Sequence, residues 1–331
     1  MALISFFSAK GAPGTTSTAM LTAALWPRPT LLVDADPAGG DLLMRLPTDA
    51  GMALTQRPGL LTLLPLARHG LAPGVVLDHS QVVQGGQRVL VGLDSPEQAE
   101  ASAAFWPILG RNFHDLPGTD VVLDLGQLSV RSSQMSLAER SDMLIGVIRP
   151  TPASVLHMRQ RLTALTRTLA TLGPDAPLVG LVAIADVQQQ AEASSALATV
   201  LTDVPEVHHL GMVAHEPRAE RMFHGDLLVR PERTMLVRSG RSLVERVRSL
   251  LDGAAPDPDP APAGRGADQV DQAGPAGSGA QAGSTDAIEA GDASGLPDGG
   301  ADAGAAQKEQ PDADRPMSRR DLKKKKWRVQ R

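Results

Sequence analysis

Ten residues near the start of the chain, SAKGAPGTTS from Ser8 to Ser17, bring glycines, hydroxyls and one cation together between an apolar run (LISFF, 3–7) and a helix-length segment (15–25). A strand, a short glycine-containing loop and a helix in that order aim backbone N–H groups and the positive end of a helix dipole at one point, where a phosphate binds well. The phosphate-loop pattern G-x-x-x-x-G-K-[ST] overlays Ala9, Gly14, Thr15 and Thr16, so two of its four fixed positions survive and the lysine is missing. Acidic residues close two later apolar runs: Asp34-Ala35-Asp36-Pro37 after TLLV, and Asp124 after DVVL. Other chemistries lack their residues. With no cysteine, thiolate metal sites, disulfides and cysteine nucleophiles are excluded. The eight histidines show no metal-ligand spacing, and the adjacent His208 and His209 at a strand start would face opposite sides. No Ser/His/Asp set stands out, and the first loop lacks the G-x-G-x-x-G of dinucleotide binding.

The elements that must position these residues follow from hydrophobic patterning. Short apolar runs at 3–7, 30–34, 88–92, 120–124, 143–149, 178–184 and 209–213 read as strands. Helices are expected at 15–25, about 57–68, 95–110, 152–171, 189–201, 216–224 and 238–251; in 152–171, Val155, Met158, Leu162, Leu165 and Leu169 make one apolar face. Alternation of this kind predicts an α/β fold, a doubly wound, mostly parallel sheet with helices on both faces. QVVQGGQRVLVG (81–92) reads as a strand entry with Gly85-Gly86 in the turn.

Composition divides the chain. Residues 1–252, the expected nucleotide-binding domain, hold 21 basic and 24 acidic residues, which gives no general attraction to nucleic acid. The Ala/Gly/Pro-rich stretch 253–314, with 2 basic and 12 acidic residues and little to bury, predicts a disordered acidic linker. Residues 315–331 carry 9 basic and 1 acidic residue, a basic C-terminal tail. No secretory signal is visible and no run of 18 or more apolar residues occurs, so a cytoplasmic protein that is not transmembrane is expected.

The run TLLVDADPAGGDL resembles the "DxDP" segment that follows the phosphate loop in the MinD/ParA family of deviant P-loop ATPases. In that family the loop reads K-G-G-x-G-K-T-T, and Lys10, Gly11, Gly14 and Thr16 match it; Lys10 is the one lysine before residue 308, among 20 arginines up to residue 252. DVVLDLG is similar to the family's Walker B strand, IRPTPASV to a later strand end and helix start, and LGMVAHEPRAERMFHGD to the segment leaving the last core strand. The resemblance implies the P-loop NTPase fold, ATP and Mg²⁺ as cofactors, and a cradle made of Lys10, Gly11, Ala12, Pro13, Gly14, Thr15, Thr16 and Ser17. It further implies Mg²⁺ held by Thr16, Asp124 and Asp34, mostly through water. Asp36 would position the attacking water, with Asp34 ordering the Mg²⁺ shell, and Lys10 would reach a partner's nucleotide across a homodimer that forms on nucleotide binding. These types suit the chemistry: hard oxygen ligands for Mg²⁺ and positive charge where phosphoryl charge builds.

The departures carry weight. Ala12 stands in place of a glycine, Pro13 removes one N–H donor, and Thr15 replaces the usual lysine. A charge contact at about 4 Å is worth roughly 4 kcal/mol at an effective dielectric near 20, or about three decades in affinity or rate. ATP binding is therefore expected to survive better than fast hydrolysis. The resemblance implies a nucleotide-gated switch that positions or partitions cargo such as a plasmid, a chromosome region or a cell-pole assembly through an unknown cargo or adaptor protein. The alternative is a non-hydrolysing localisation scaffold resembling the TadZ/CpaE-like branch. Residues 216–248 contain eight arginines and five acids, and by the resemblance Arg230, Arg233, Arg238 and Arg241 are candidates for non-specific DNA contact. The basic tail offers DNA or an anionic membrane a similar charge, so nucleoid or membrane association is the expected refinement of the cytoplasmic location.

Overall fold

Runs such as LISFFS and MLIGVI contain no charged interruption, the pattern of strands covered on both faces. In the computed structural model they are β1 (Leu3–Ser8) and β6 (Met143–Ile148), each buried at every position. The structure describes residues 1–11, 14–68, 70–72 and 74–253. Ala12 and Pro13 of the loop, the linker beyond Gly253 and the basic tail 315–331 lie outside the described residues.

The remaining strands are β2 (Thr30–Asp34), β3 (Gln81–Val82), β4 (Arg88–Leu90), β5 (Asp120–Gln127), β7 (Leu178–Ala185) and β8 (His208–Ala214). They form one eight-stranded sheet in the order β3-β4-β2-β5-β1-β6-β7-β8, parallel throughout except for β3 against β4. The helices are α1 (Thr15–Leu25), α2 (Leu42–Arg45), α3 (Leu60–Ala67), α4 (Val75–Asp78), α5 (Pro96–Ala101), α6 (Trp106–His114), α7 (Met135–Arg140), α8 (Pro152–Leu169), α9 (Gln190–Leu201), α10 (Pro217–Glu220) and α11 (Met235–Leu251). One core lies between the sheet and helices that include α3, α6, α8 and α9; the other lies between the opposite face and α1 and α11. Met158, Leu162, Leu165 and Leu169 of α8 are buried in the first, as their spacing predicts. Among the described residues no helix is long and apolar enough to cross a membrane.

The expected doubly wound, mostly parallel sheet is present, with local corrections. The helix expected over 95–110 is two, because Pro107 lacks an N–H and its ring would strike a preceding carbonyl in a continuous helix; a 3-10 turn at Ala103–Phe105 separates α5 from α6. The helix expected over 216–224 is only α10 followed by a 3-10 turn at Arg221–His224, which Gly225 ends with φ 87°. Helix α11 starts three residues earlier than expected, where the Thr234 hydroxyl accepts from the Val237 N–H. Strand β3, two residues long, completes a hairpin whose turn carries Gly85 and Gly86 at φ 87° and 85°.

At the edge of the sheet remote from the loop, Asp120 fastens three elements. Its buried carboxylate accepts from the Ala2 N–H at 2.7 Å, the Trp26 indole at 2.6 Å and the Arg28 guanidinium at 2.6 Å. Asp120→Ala leaves the Ala2 and Trp26 donors without their acceptor, so we expect a loss of about 2–4 kcal/mol. Urea unfolding checks this as a lower midpoint at unchanged slope.

Candidate functional site

Parallel strands carry their loops at the carboxyl edge of the sheet, and the ends of β1, β2 and β5 are neighbours there. Asp34 and Asp124 stand in the same register on β2 and β5, and side-chain alternation turns both towards the face that carries α1. Both are fully buried. Three glycines make room. A Cβ at Gly40 would lie 2.0 Å from an Asp34 carboxylate oxygen, one at Gly92 would lie 2.9 Å from its carboxyl carbon, and one at Gly126 would lie 2.1 Å from the carboxyl carbon of Asp36.

The electrostatics follow from burial. Asp34 is held well above the ordinary carboxylate range, first by loss of solvent and then by the charge of Asp124; N–H groups of Leu42, at 3.3 Å, and Asp36, at 3.4 Å, oppose this weakly. Asp124 is pushed up to about 6 by burial, against hydrogen bonds from the Thr16 hydroxyl and the Gly126 N–H. Asp36 is raised by burial too, although the Ala38 N–H donates to it at 2.9 Å.

The loop enters through Ser8, whose hydroxyl donates to the Gly11 carbonyl at 2.7 Å. Gly11 and Gly14 adopt φ 69° and 101°, values that favour glycine. Gly14 precedes α1 with no side-chain cap, and the first turn of α1 holds no acid, so the helix presents uncapped N–H groups to an anion. Lys10 is exposed at the mouth. Thr15 is buried, and among the described residues its hydroxyl has no partner.

The expected residues thus fall into one neighbourhood at the ends of β1, β2 and β5: Lys10, Gly11, Gly14, Thr15, Thr16, Ser17, Asp34, Asp36 and Asp124; Ala12 and Pro13 are outside the described residues. Among the described residues no group of three or more His, Asp or Glu side chains converges tightly enough to cage a metal ion. That donor set suits Mg²⁺, which keeps several waters and takes one or two carboxylates beside ligand phosphates. Two buried carboxylates and a threonine hydroxyl fit such an ion, because a cation would offset the burial and the neighbouring negative charge that raise Asp34 and Asp124.

The fold has solved counterparts. They include a ParA family ATPase from Chlorobium tepidum TLS (TM-score 0.59, 16% identity, 74% of this chain and 98% of that one) and the septum site-determining protein MinD with Mg-ADP from Pyrococcus horikoshii OT3 (0.56, 18%, 75% and 96%). A variant of McdA from Cyanothece in complex with ATP is a third (0.57, 14%, 77% and 98%). This chain has the ParA/MinD fold. No protein-family model matches the sequence, and no curated protein matches it.

Within the ParA/MinD fold, the sequence reading missed the glycines that shape the acidic pocket, Gly40, Gly92 and Gly126; each sits within or beside a quoted run, yet a glycine's packing partner is invisible in sequence. It also missed Gln134, fully buried, whose amide donates to the Leu125 and Gln127 carbonyls and fixes the end of β5. Two arginines reach the loop from afar: Arg45 donates to the Ser17 hydroxyl at 2.9 Å and Arg161 to the Ala9 carbonyl at 3.1 Å. Arg230, Arg233, Arg238 and Arg241 are exposed, the first two around the turn before α11 and the last two along it.

Because the folded-state pKa of Asp124 lies above its unfolded value, the folded protein binds more protons than the unfolded chain between about pH 4 and 6. Its contribution therefore destabilises the ligand-free protein as pH rises through that window, by roughly 3 kcal/mol for a shift of this size. Asp34, raised in the same direction by burial and by the charge of Asp124, adds to the loss. We expect Asp124→Asn to be more stable than wild type at pH 7.5 and to converge with it near pH 4, as read by urea unfolding without added divalent ions.

Proposed function

We propose that this protein is an ATP- and Mg²⁺-binding, nucleotide-gated dimeric switch of the ParA/MinD type that positions or partitions cargo in the cell. One observation carries the reading: Asp34, Asp36 and Asp124 gather beside an uncapped helix start and an exposed lysine, on a fold shared with a MinD and a McdA whose solved structures hold Mg-ADP and ATP. In this reading residues 1–252 form the nucleotide-binding domain, 253–314 a linker and 315–331 a basic tail.

The backbone amides around Gly11, Gly14 and Thr15 would bind the phosphates, and the Thr16 hydroxyl, Asp124 and Asp34 would hold Mg²⁺ mostly through water. Mg²⁺ supplies charge against the phosphate oxygens. Asp36 orients the attacking water. Lys10 extends to the nucleotide of a second copy, so the triphosphate favours the dimer through its differential affinity for the two states. The closed dimer then presents a surface to an adaptor, with the exposed arginines and the basic tail as sites for DNA or anionic membrane. The buried Thr15, in the usual place of a lysine, favours a second reading in which nucleotide is bound without hydrolysis and the protein serves as a localisation scaffold.

Titrating Mg·ATP while following mass by light scattering is expected to convert monomer to dimer. Lys10→Ala is expected to keep nucleotide binding and lose the dimer. No binding and no change in mass would remove the proposal. Phosphate release separates the two readings: turnover that Asp36→Ala abolishes supports the switch, and binding without turnover supports the scaffold.

A further inference from the structure

The cradle lacks its internal lysine, yet a guanidinium touches it at each end. Arg161 is committed to a backbone carbonyl at the start of the loop and is partly buried, which draws its pKa down. Arg45 is placed differently. The N–H of Leu42, at the start of α2, donates to Asp34, and this tie sets α2 against the acidic pocket. At the end of α2, Arg45 sets Nη2 against the Ser17 hydroxyl, in the first turn of α1. A hydroxyl satisfies one of five guanidinium N–H donors and no charge. Among the described residues no carboxylate lies within ion-pair distance of Arg45, although four aspartates, Asp34, Asp36, Asp41 and Asp124, belong to the same neighbourhood. In the same first turn of α1 as Ser17, Thr15 buries a hydroxyl that has no partner among the described residues.

We propose that Arg45 is the cation of the phosphate cradle: it carries, from the α2 side, the charge that a lysine at position 15 carries in an ordinary loop, and its ligand is the polyphosphate of a nucleoside triphosphate. The inference rests on the nucleotide-binding reading above. A planar guanidinium suits the role, since it keeps its charge when half-buried and offers paired donors to phosphate oxygens. It also accounts for how the loop tolerates Thr15. The charge arrives from another element, so its contact with phosphate depends on α2 and through it on Asp34.

Calorimetric titration of the full chain with Mg·ATP tests this in wild type, Arg45→Gln, Arg45→Lys and, as a control for net charge, Arg167→Ala on the exposed outer turn of α8. Glutamine can still donate to Ser17 but has no charge. We expect Arg45→Gln to weaken binding about 10- to 100-fold, in line with loss of one hydrogen bond to a charged group. Arg45→Lys should recover most of that loss, and Arg167→Ala should bind as wild type does. Adding Thr15→Lys to Arg45→Gln should restore affinity. Wild-type affinity in Arg45→Gln overturns the inference and leaves the parent reading intact. Equal losses in Arg45→Gln and Arg45→Lys, with both variants folded by circular dichroism, overturn the charge role. A wild-type protein that binds no Mg·ATP overturns both.

Discussion

Two carboxylates held side by side out of water set the terms for the rest of this structure. Asp34 and Asp124 share one register on adjacent parallel strands, and neither has a basic partner among the described residues. Burial raises the pKa of both, and the charge of Asp124 adds to the rise at Asp34. The arrangement needs a stiff frame. An eight-stranded sheet covered on both faces supplies it, because β2 and β5 cannot part without opening both cores. Gly40, Gly92 and Gly126 belong to the same constraint, since any side chain there would occupy the space that the carboxyl groups need.

Such a pocket costs the folded protein stability as long as no cation offsets its charge. Backbone donors and the Thr16 hydroxyl offset the repulsion only in part, and a divalent ion would offset far more. Positive charge is distributed around the pocket instead of placed within it. Lys10 stands exposed at the mouth, while Arg45 and Arg161 touch the loop from α2 and α8. In the proposed reading, a cradle assembled from three elements would couple phosphate binding to the positions of those elements. A lysine inside the loop would answer only to the loop.

Similarity of fold at 14–18% identity follows from the same logic. The ParA/MinD architecture requires apolar strands of the right length, helices with one apolar face, and small residues where backbone and carboxylates approach closely. Many sequences meet those demands. Function needs a shorter set of residues at the ends of three strands, and this chain departs from the usual set at Thr15, Ala12 and Pro13.

By itself the sequence determined the alternating elements, the parallel sheet and the acidic residues that close its strands, because burial on two faces writes an uninterrupted apolar run and a strand end places its last residue at the sheet's edge. Lys10 was legible for a simpler reason, as the one lysine in an arginine-rich domain. Only the tertiary structure decided how the pieces meet. The break at Pro107 and the short helices α2, α4 and α7 fall below the length at which periodicity is visible, and so does β3. The glycine cradle around Asp34 and Asp36 depends on contacts between residues up to 90 positions apart. Arg161 reaches Ala9 across 152 residues and Arg45 reaches Ser17 across 28. A side chain's charge can be read from its type, but the group it neutralises is chosen by strand order and helix packing, which act between residues that local pattern does not connect.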